Sequence, residues 1–152
     1  MYLNDSLLEK MDEIISKLKT PEECIKFAEK CTNLAQEARL RAIELRTLTH
    51  GNKSEVETEL LKAIYAYEEV LSKKNKKRTR ASRTWPMVKR YGIVGAAEKA
   101  VNRNTDAMGY RLLIEMGLQD LTFEAVIVRF PEAFSQQIVK LARSRLKELK
   151  NS

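Results

Sequence analysis

The sequence predicts an all-α protein in which a long N-terminal hairpin of about three helices precedes a compact bundle of short helices. Two observations lead to this prediction. Apolar residues recur at the three-and-four spacing of a helix face along most of the 152 residues. Only 5 Gly and 3 Pro interrupt a chain in which 43% of the residues are hydrophobic. Both features favour helices over sheets, and the apolar fraction suffices for a core.

An apolar stripe predicts the first helix, which is expected to end near Lys19. Ser6 and Glu9 have the spacing of a capping box, in which a hydroxyl and a carboxylate each satisfy a free backbone N–H. Thr20 and Pro21 then supply an N-cap and a proline suited to the first position of the next helix. The stripe consists of Leu3, Leu7, Leu8, Met11, Ile14, Ile15 and Leu18.

The second and third helices are predicted to form an antiparallel hairpin. The second helix has a near-heptad apolar seam, which is the spacing of coiled coils, and it stops at Gly51. Ser54 and Glu57 open the third helix through another capping box, so a tight turn at residues 50–53 joins the two. The seam consists of Cys24, Phe27, Cys31, Leu34, Ala38, Ala42, Leu45 and Leu48, and the third helix has the stripe Val56, Leu60, Ile64, Tyr67 and Leu71.

A basic block follows the third helix. Seven of the eleven residues from Lys73 to Arg83 are cationic, and none is acidic. Residues 73–111 carry 12 Lys and Arg against 2 Asp and Glu, so most of the net charge of +7 arises there. Because Ala81 is the only apolar residue of the block, we expect a mobile loop or a helix extension that frays. The cations are Lys73, Lys74, Lys76, Lys77, Arg78, Arg80 and Arg83.

Beyond the basic block, short segments separated by glycine or proline predict a bundle of short helices. Three of them are followed by Gly92, Gly117 and Pro131, and Ser135 caps a last amphipathic helix. The chain therefore has three predicted parts: a helical hairpin and dimerisation region at 1–72, a basic joint at 73–83 and a small helical bundle at 84–152.

The segment 83–103 has the outline of a helix-turn-helix. A short helix, a turn containing Gly92 and a second helix rich in small residues follow one another, and in DNA-binding versions the second helix enters a groove. An ordinary helical hairpin within a bundle has the same outline, and both interpretations stay open. In the first interpretation the base-facing residues are Lys99, Asn102 and Arg103, and the phosphate-facing residues are Lys89 and Arg90.

Residues suited to catalysis or metal binding are sparse. The chain has one histidine, His50, and two cysteines that lie too far apart on one predicted helix to bridge. It lacks a phosphate-binding glycine loop, a nucleophile elbow and four zinc ligands. Acidic pairs such as Glu68 and Glu69 are assigned to exposed faces, where ion pairs explain them. We therefore expect a protein that is not an enzyme, with no metal, no cofactor and no small-molecule substrate.

The leading functional hypothesis is a non-enzymatic nucleic-acid-binding protein, because a dense cationic cluster attracts a polyanion. DNA is favoured over RNA, since the chain is helical and lacks the aromatic sheet of common RNA modules. Trp85, beside the basic block, either stacks on an exposed base or anchors its helix on the core, which is the commoner role.

The alternative hypothesis is an interaction or assembly subunit, which forms a homodimer through its N-terminal helices or docks the basic block on an acidic partner. It becomes the better hypothesis if the chain's own carboxylates neutralise the block. The sequence shows neither a signal peptide nor a membrane span, so a cytoplasmic protein without membrane contact is expected.

Overall fold

The computed structural model describes residues 5–51, 53–103 and 106–151. Over these ranges it contains seven α-helices, one short 3-10 helix and no strand, which confirms the predicted all-α class. Leu3 of the first stripe and Asn52 of the predicted turn lie outside the described residues. The helices are α1 (Asp5–Ser16), α2 (Pro21–Leu48), α3 (Glu55–Asn75), α4 (Thr84–Val101), α5 (Ala107–Glu115), α6 (Phe123–Arg129) and α7 (Gln136–Asn151), and the 3-10 helix is Pro131–Ala133.

The chain forms two compact units, Met1–Glu37 and Ala38–Ser152. The first unit contains α1 and the N-terminal part of α2, and none of its described residues is buried. The hydrophobic core therefore belongs to the second unit, which also contains the whole basic block. Cys24 and Cys31 are free thiols in the first unit.

Helix α3 is the centre of the second unit, where it packs against α4, α5 and α6. Leu60 and Ala63 belong to a cluster with buried residues of α4, α6 and α7. Ala66 and Val70 belong to another cluster with Ile43 of α2 and with residues of α5 and the loop after it. Because each fully buried Leu or Ile contributes about 1.5–3 kcal/mol, these two clusters fix α3 in the unit.

The C-terminal part of α2 and the turn after it run antiparallel to α3, as the sequence predicted. Arg46 pairs with Glu69, and His50 lies against Tyr65. Later residues of α2 and its turn thus lie beside earlier residues of α3. This register determines which side chains of α2 face the basic block.

Side-chain caps explain where several helices begin. Thr20 accepts a hydrogen bond from the N–H three residues further on, and Pro21 is the first residue of α2, as predicted. The same contact starts α3 at Ser54, α6 at Thr122 and α7 at Ser135. Local chemistry of this kind is readable from the sequence alone.

Helix α4 is interrupted at Gly92, where φ is 73° and ψ is 169°. Only glycine adopts this conformation without strain. Arg103 Nη2 lies 3.3 Å from Met87 Sδ, although sixteen residues of straight helix would place their Cα atoms about 24 Å apart. The two halves of α4 therefore fold towards each other about Gly92.

Candidate nucleic-acid interface

The basic block is fastened to α3 by hydrogen bonds. Glu68 is buried and accepts from Ala81 N–H at 2.9 Å and from Trp85 Nε1–H at 2.6 Å. The Ser72 hydroxyl accepts from Thr79 N–H at 2.9 Å. The loop thus differs from the mobile segment expected, because polar groups of α3 hold it in addition to the buried Ala81. Glu68 also corrects the expectation that it lies on an exposed face.

Trp85 anchors α4 on α3. Its ring stacks on the His50 ring at 5.7 Å with an angle of 11° between the planes, and lies 5.4 Å from the Tyr65 ring. The Arg80 guanidinium carbon lies 5.7 Å from the Trp85 ring centroid. Together with the hydrogen bond to Glu68, these contacts fit the anchoring role rather than base stacking.

Four cations of the basic block form ion pairs with carboxylates of the same chain. Within the described residues, the other three have no carboxylate partner. The pairs are Lys73–Glu115 at 3.0 Å, Lys74–Asp106 at 2.9 Å, Arg78–Glu69 at 2.7 Å and Arg80–Glu68 at 3.8 Å, and the three cations without a pair are Lys76, Lys77 and Arg83.

The four pairs hold their cations with different strength. Those of Lys73 and Lys74 are partly or largely in solvent, where an ion pair contributes about 0–1 kcal/mol, so a phosphate can replace the carboxylate. The side chain of Arg80 is 76% exposed. Arg78 differs, because it lies only 2.7 Å from a carboxylate, Glu69, that is 12% exposed, whereas Arg80 lies 3.8 Å from Glu68. The positive charge of the block is therefore partly neutralised, and Arg78 is the cation held most firmly by an ion pair within the protein.

The ion pairs of Glu69 should make stability depend on pH. Burial would raise the pKa of Glu69, but the hydrogen bonds and charges of Arg78 and Arg46 outweigh it and lower the pKa from the ordinary 4.5. A lowered pKa stabilises the fold above the unfolded value, and this contribution is lost as the pH falls through the folded value. We expect Glu69→Gln to cost about 1–2 kcal/mol at pH 7 and progressively less below pH 4.5.

Urea denaturation of the wild type and of Glu69→Gln across this pH range measures the difference. Glu55→Gln removes an exposed carboxylate at the start of the same helix and serves as the control. A wild-type advantage over Glu69→Gln that stays constant down to acidic pH contradicts the assigned role of Glu69.

A basic cleft of about 370 Å³ lies where α2, the end of α3 and the basic block meet. Its lining includes Arg39 from α2 and Lys73, Lys77 and Arg78 from the block. Among the described residues that line it, Glu69 is the only acidic one. An excess of cations in a concave site favours phosphate. Arg39 is not among the contact residues predicted from the sequence, because only the register of α2 against α3 places it in this cleft.

A second cleft, of about 560 Å³, lies between the start of α3 and α4; we call it the α4 cleft. Its walls are largely apolar and aromatic, with a few polar groups. The apolar and aromatic residues are Leu61, Trp85, Val88, Tyr91, Ile93 and Val94, and the polar ones are His50, Lys53, Glu57 and Lys89.

The break in α4 brings two of the predicted contact residues together. The Arg90 guanidinium lies 5.2 Å and the Lys99 ammonium 4.3 Å from the centroid of the Tyr91 ring. Both distances are those of cation–π contacts. Arg90 and Lys99 thus share one surface, although the sequence analysis assigned them to phosphate and bases respectively.

The other predicted contact residues of this segment make different contacts. Lys89 is exposed and lines the α4 cleft. Asn102 donates its side-chain amide to the carbonyl of Glu98, at the end of α4. Arg103 is exposed and lies against Met87. The base-facing role of Lys99, Asn102 and Arg103 stays a prediction.

Comparisons with known proteins were made at three levels. No protein-family model, no curated protein and no solved structure matches the chain. In the part of the chain that the structure describes, no group of three or more His, Cys, Asp or Glu side chains could hold a metal ion. None of the helices in the described ranges has the length and apolar character needed to cross a membrane.

Proposed function

We propose that this chain is a non-enzymatic nucleic-acid-binding protein whose main contact surface is the basic cleft. The observation that carries the proposal is the meeting of Arg39, Lys73, Lys77 and Arg78 around a single carboxylate. Residues 38–152 contain 23 Lys and Arg against 13 Asp and Glu, so the second unit as a whole also has a positive net charge. A polyanion gains affinity there by releasing its condensed counterions.

The cations that have no carboxylate partner are the first candidates for contact with phosphate. In the basic block these are Lys76, Lys77 and Arg83, and Lys89 adds a further exposed cation on α4. The helix-turn-helix interpretation of the interrupted α4 belongs to this proposal, and with it the preference for DNA over RNA. In the helix-turn-helix interpretation, phosphate contacts position the protein, while base contacts in a duplex groove belong to the second half of α4.

Fluorescence anisotropy with a labelled duplex and a labelled single strand tests the proposal across a range of salt concentrations. If the three unpaired cations of the block each neutralise a phosphate, the logarithm of the binding constant falls with the logarithm of salt with a slope of about −2 to −3, or steeper with further contacts. Failure to bind either probe at about 50 mM salt would reject nucleic-acid binding.

A second candidate function, self-association, is favoured by the first unit. Leu8, Ile14 and Ile15 are 49%, 47% and 52% exposed, and no described residue as far as Glu37 is buried. A helix of 12 residues with an exposed apolar face is marginal in water by itself. The near-heptad seam of α2 is the pattern by which helices pair, so the proposed partner is a second copy of the chain.

Sedimentation equilibrium tests self-association. We expect the mass of a dimer at micromolar concentration for the wild type, and the mass of a monomer for a variant with Leu8→Lys and Ile15→Lys. A variant with Glu9→Lys and Asp12→Lys adds lysines to polar positions of the same helix and should remain a dimer. A wild type that is monomeric at every concentration rules out this candidate.

A further inference from the structure

The chain runs from the basic cleft, which Arg78 lines, to the α4 cleft, which Trp85 lines. Glu57 and Leu61 line the α4 cleft, whereas Glu69 and Lys73 line the basic cleft. Each step of four residues turns about 40° around an α-helix, so Glu69 lies about 120° around α3 from Glu57. Twelve residues separate corresponding members, which is about 18 Å along the helix axis.

Arg78 and Trp85 are seven positions apart, which limits their separation to about 25 Å. A stacked nucleic-acid strand advances about 3.4 Å per nucleotide, so roughly seven nucleotides or fewer cover this distance. One strand with its phosphates on the basic cleft can therefore reach the α4 cleft within a short segment. Arg80 belongs to this stretch of chain and lies beside Glu68 and the Trp85 ring. The stretch between the two clefts thus also presents a cation.

The chemistry of the α4 cleft differs from that of the basic cleft. Its walls are apolar and aromatic, and its volume of about 560 Å³ is within the range of sites that enclose small organic groups. Lys53 and Lys89 are exposed cations of the cleft, without a carboxylate partner in the described ranges. A nucleotide complements both features of the cleft, since the apolar faces of its flat base suit the apolar walls and its anionic phosphate suits the two cations.

Glu57 favours a base over a phosphate inside the cleft. Its carboxylate repels phosphate, but it accepts hydrogen bonds, as it does from the Ser54 hydroxyl at 3.1 Å. The amino groups of cytosine and adenine are donors that a carboxylate can bind. In a duplex the bases are stacked and paired, and only an unpaired base can enter a side pocket.

We propose that the α4 cleft binds an unpaired nucleobase of a strand whose phosphates lie on the basic cleft, so that the protein prefers single-stranded to duplex nucleic acid. This inference rests on the proposed nucleic-acid function and is an alternative to its helix-turn-helix form, in which a duplex groove is contacted. Contacts between a base and an apolar or aromatic wall increase affinity by about 5- to 150-fold.

Three probes test the inference: a single strand of roughly 12 nucleotides of dA and dC, an abasic strand with the same number of phosphates and the corresponding duplex, which has about twice as many. Trp85 is the only tryptophan and lines the α4 cleft, so its fluorescence reports entry of a base. We expect the strand with bases to bind about 5- to 150-fold more tightly than the abasic strand and to change the Trp85 emission, which the abasic strand leaves unchanged.

Two results overturn the inference in distinguishable ways. Equal affinity for the strands with and without bases, with no change in Trp85 emission, overturns base binding and leaves the basic cleft as a phosphate site. Absence of binding by all three probes overturns the proposed nucleic-acid function and the inference with it. Tighter binding of the duplex than of the single strand also overturns the stated preference.

A variant that fills the α4 cleft provides an independent test. Val88 is half-buried and lines the cleft, and Val88→Phe places a larger ring where the base would enter. We expect its affinities for the strands with and without bases to become equal. Ala133→Phe adds the same ring at an exposed position of the 3-10 helix and should keep the wild-type ratio. If Val88→Phe is folded by circular dichroism and keeps that ratio, the inference is overturned.

Should Val88→Phe fail to fold, Lys89→Glu supplies the second variant. Lys89 is exposed, so its replacement leaves the core intact. Because only the strand with bases is held at the α4 cleft, a reversed charge there should lower its affinity more than that of the abasic strand. An unchanged ratio of the two affinities would overturn the placement of the base in this cleft.

Discussion

Glu68→Ala lowers the free energy of unfolding by about 3–5 kcal/mol, the largest stability effect that we expect from one substitution. Glu68 is 5% exposed, and one of its carboxylate oxygens accepts from both Ala81 N–H and Trp85 Nε1–H. Alanine leaves these two donors without an acceptor, and a buried donor without a partner costs about 1–3 kcal/mol. It also leaves Arg80 without its nearest carboxylate.

Urea denaturation followed by circular dichroism and by Trp85 fluorescence measures this loss. Glu68→Gln keeps an amide oxygen as an acceptor, so a smaller loss of about 1–2 kcal/mol is expected. Glu148→Ala on α7 removes an exposed carboxylate and should change stability by less than about 0.5 kcal/mol. A Glu68→Ala protein as stable as Glu148→Ala would show that Glu68 does not hold the loop.

The features of the fold that the sequence predicted depend on local chemistry. Ser54 caps α3 because its hydroxyl meets an N–H three residues away, and Gly92 interrupts α4 because other residues strain at its φ and ψ. Both signals lie within a few residues of the feature that they determine. The ends of the helices in the hairpin were therefore predictable from caps and spacing.

The burial of Glu68 could not be predicted in the same way. Neighbouring glutamates near the end of a helix are normally solvated, and nothing local separates Glu68 from Glu69. Glu68 is buried because the chain returns after the basic block and places Ala81 and Trp85 over it. These two contacts join residues that are thirteen and seventeen positions apart, and both depend on the path of the loop.

The candidate site was predictable only in part. Lys73, Lys77 and Arg78 were predicted as contact residues, because a dense run of cations is evident from the sequence alone. Arg39 is 34 residues before Lys73 and meets the same cleft through the antiparallel register of α2 and α3. The ion pairs with Glu115 and Asp106 equally depend on tertiary packing, which charge counting does not include.

Neutralising the unpaired cations of the basic block should have the largest effect on nucleic-acid binding. The variant replaces Lys76, Lys77 and Arg83 with alanine. Each lost phosphate contact reduces the salt slope by about 0.9, so the slope becomes about 2.7 units shallower. Between 50 and 200 mM salt, the wild type should therefore lose about 40-fold more affinity for a labelled duplex than the variant, as measured by fluorescence anisotropy.

A charge-matched control separates the position of these cations from their number. Lys140, Arg143 and Lys147 are exposed on α7, and replacing them with alanine removes the same three charges. Both triple variants then have the same net charge, and both leave the buried residues untouched. If the basic block contacts phosphate, only the first variant loses the salt dependence, because counterion release counts the phosphates that are neutralised locally. Equal losses would mean that net charge, rather than the basic block, determines binding.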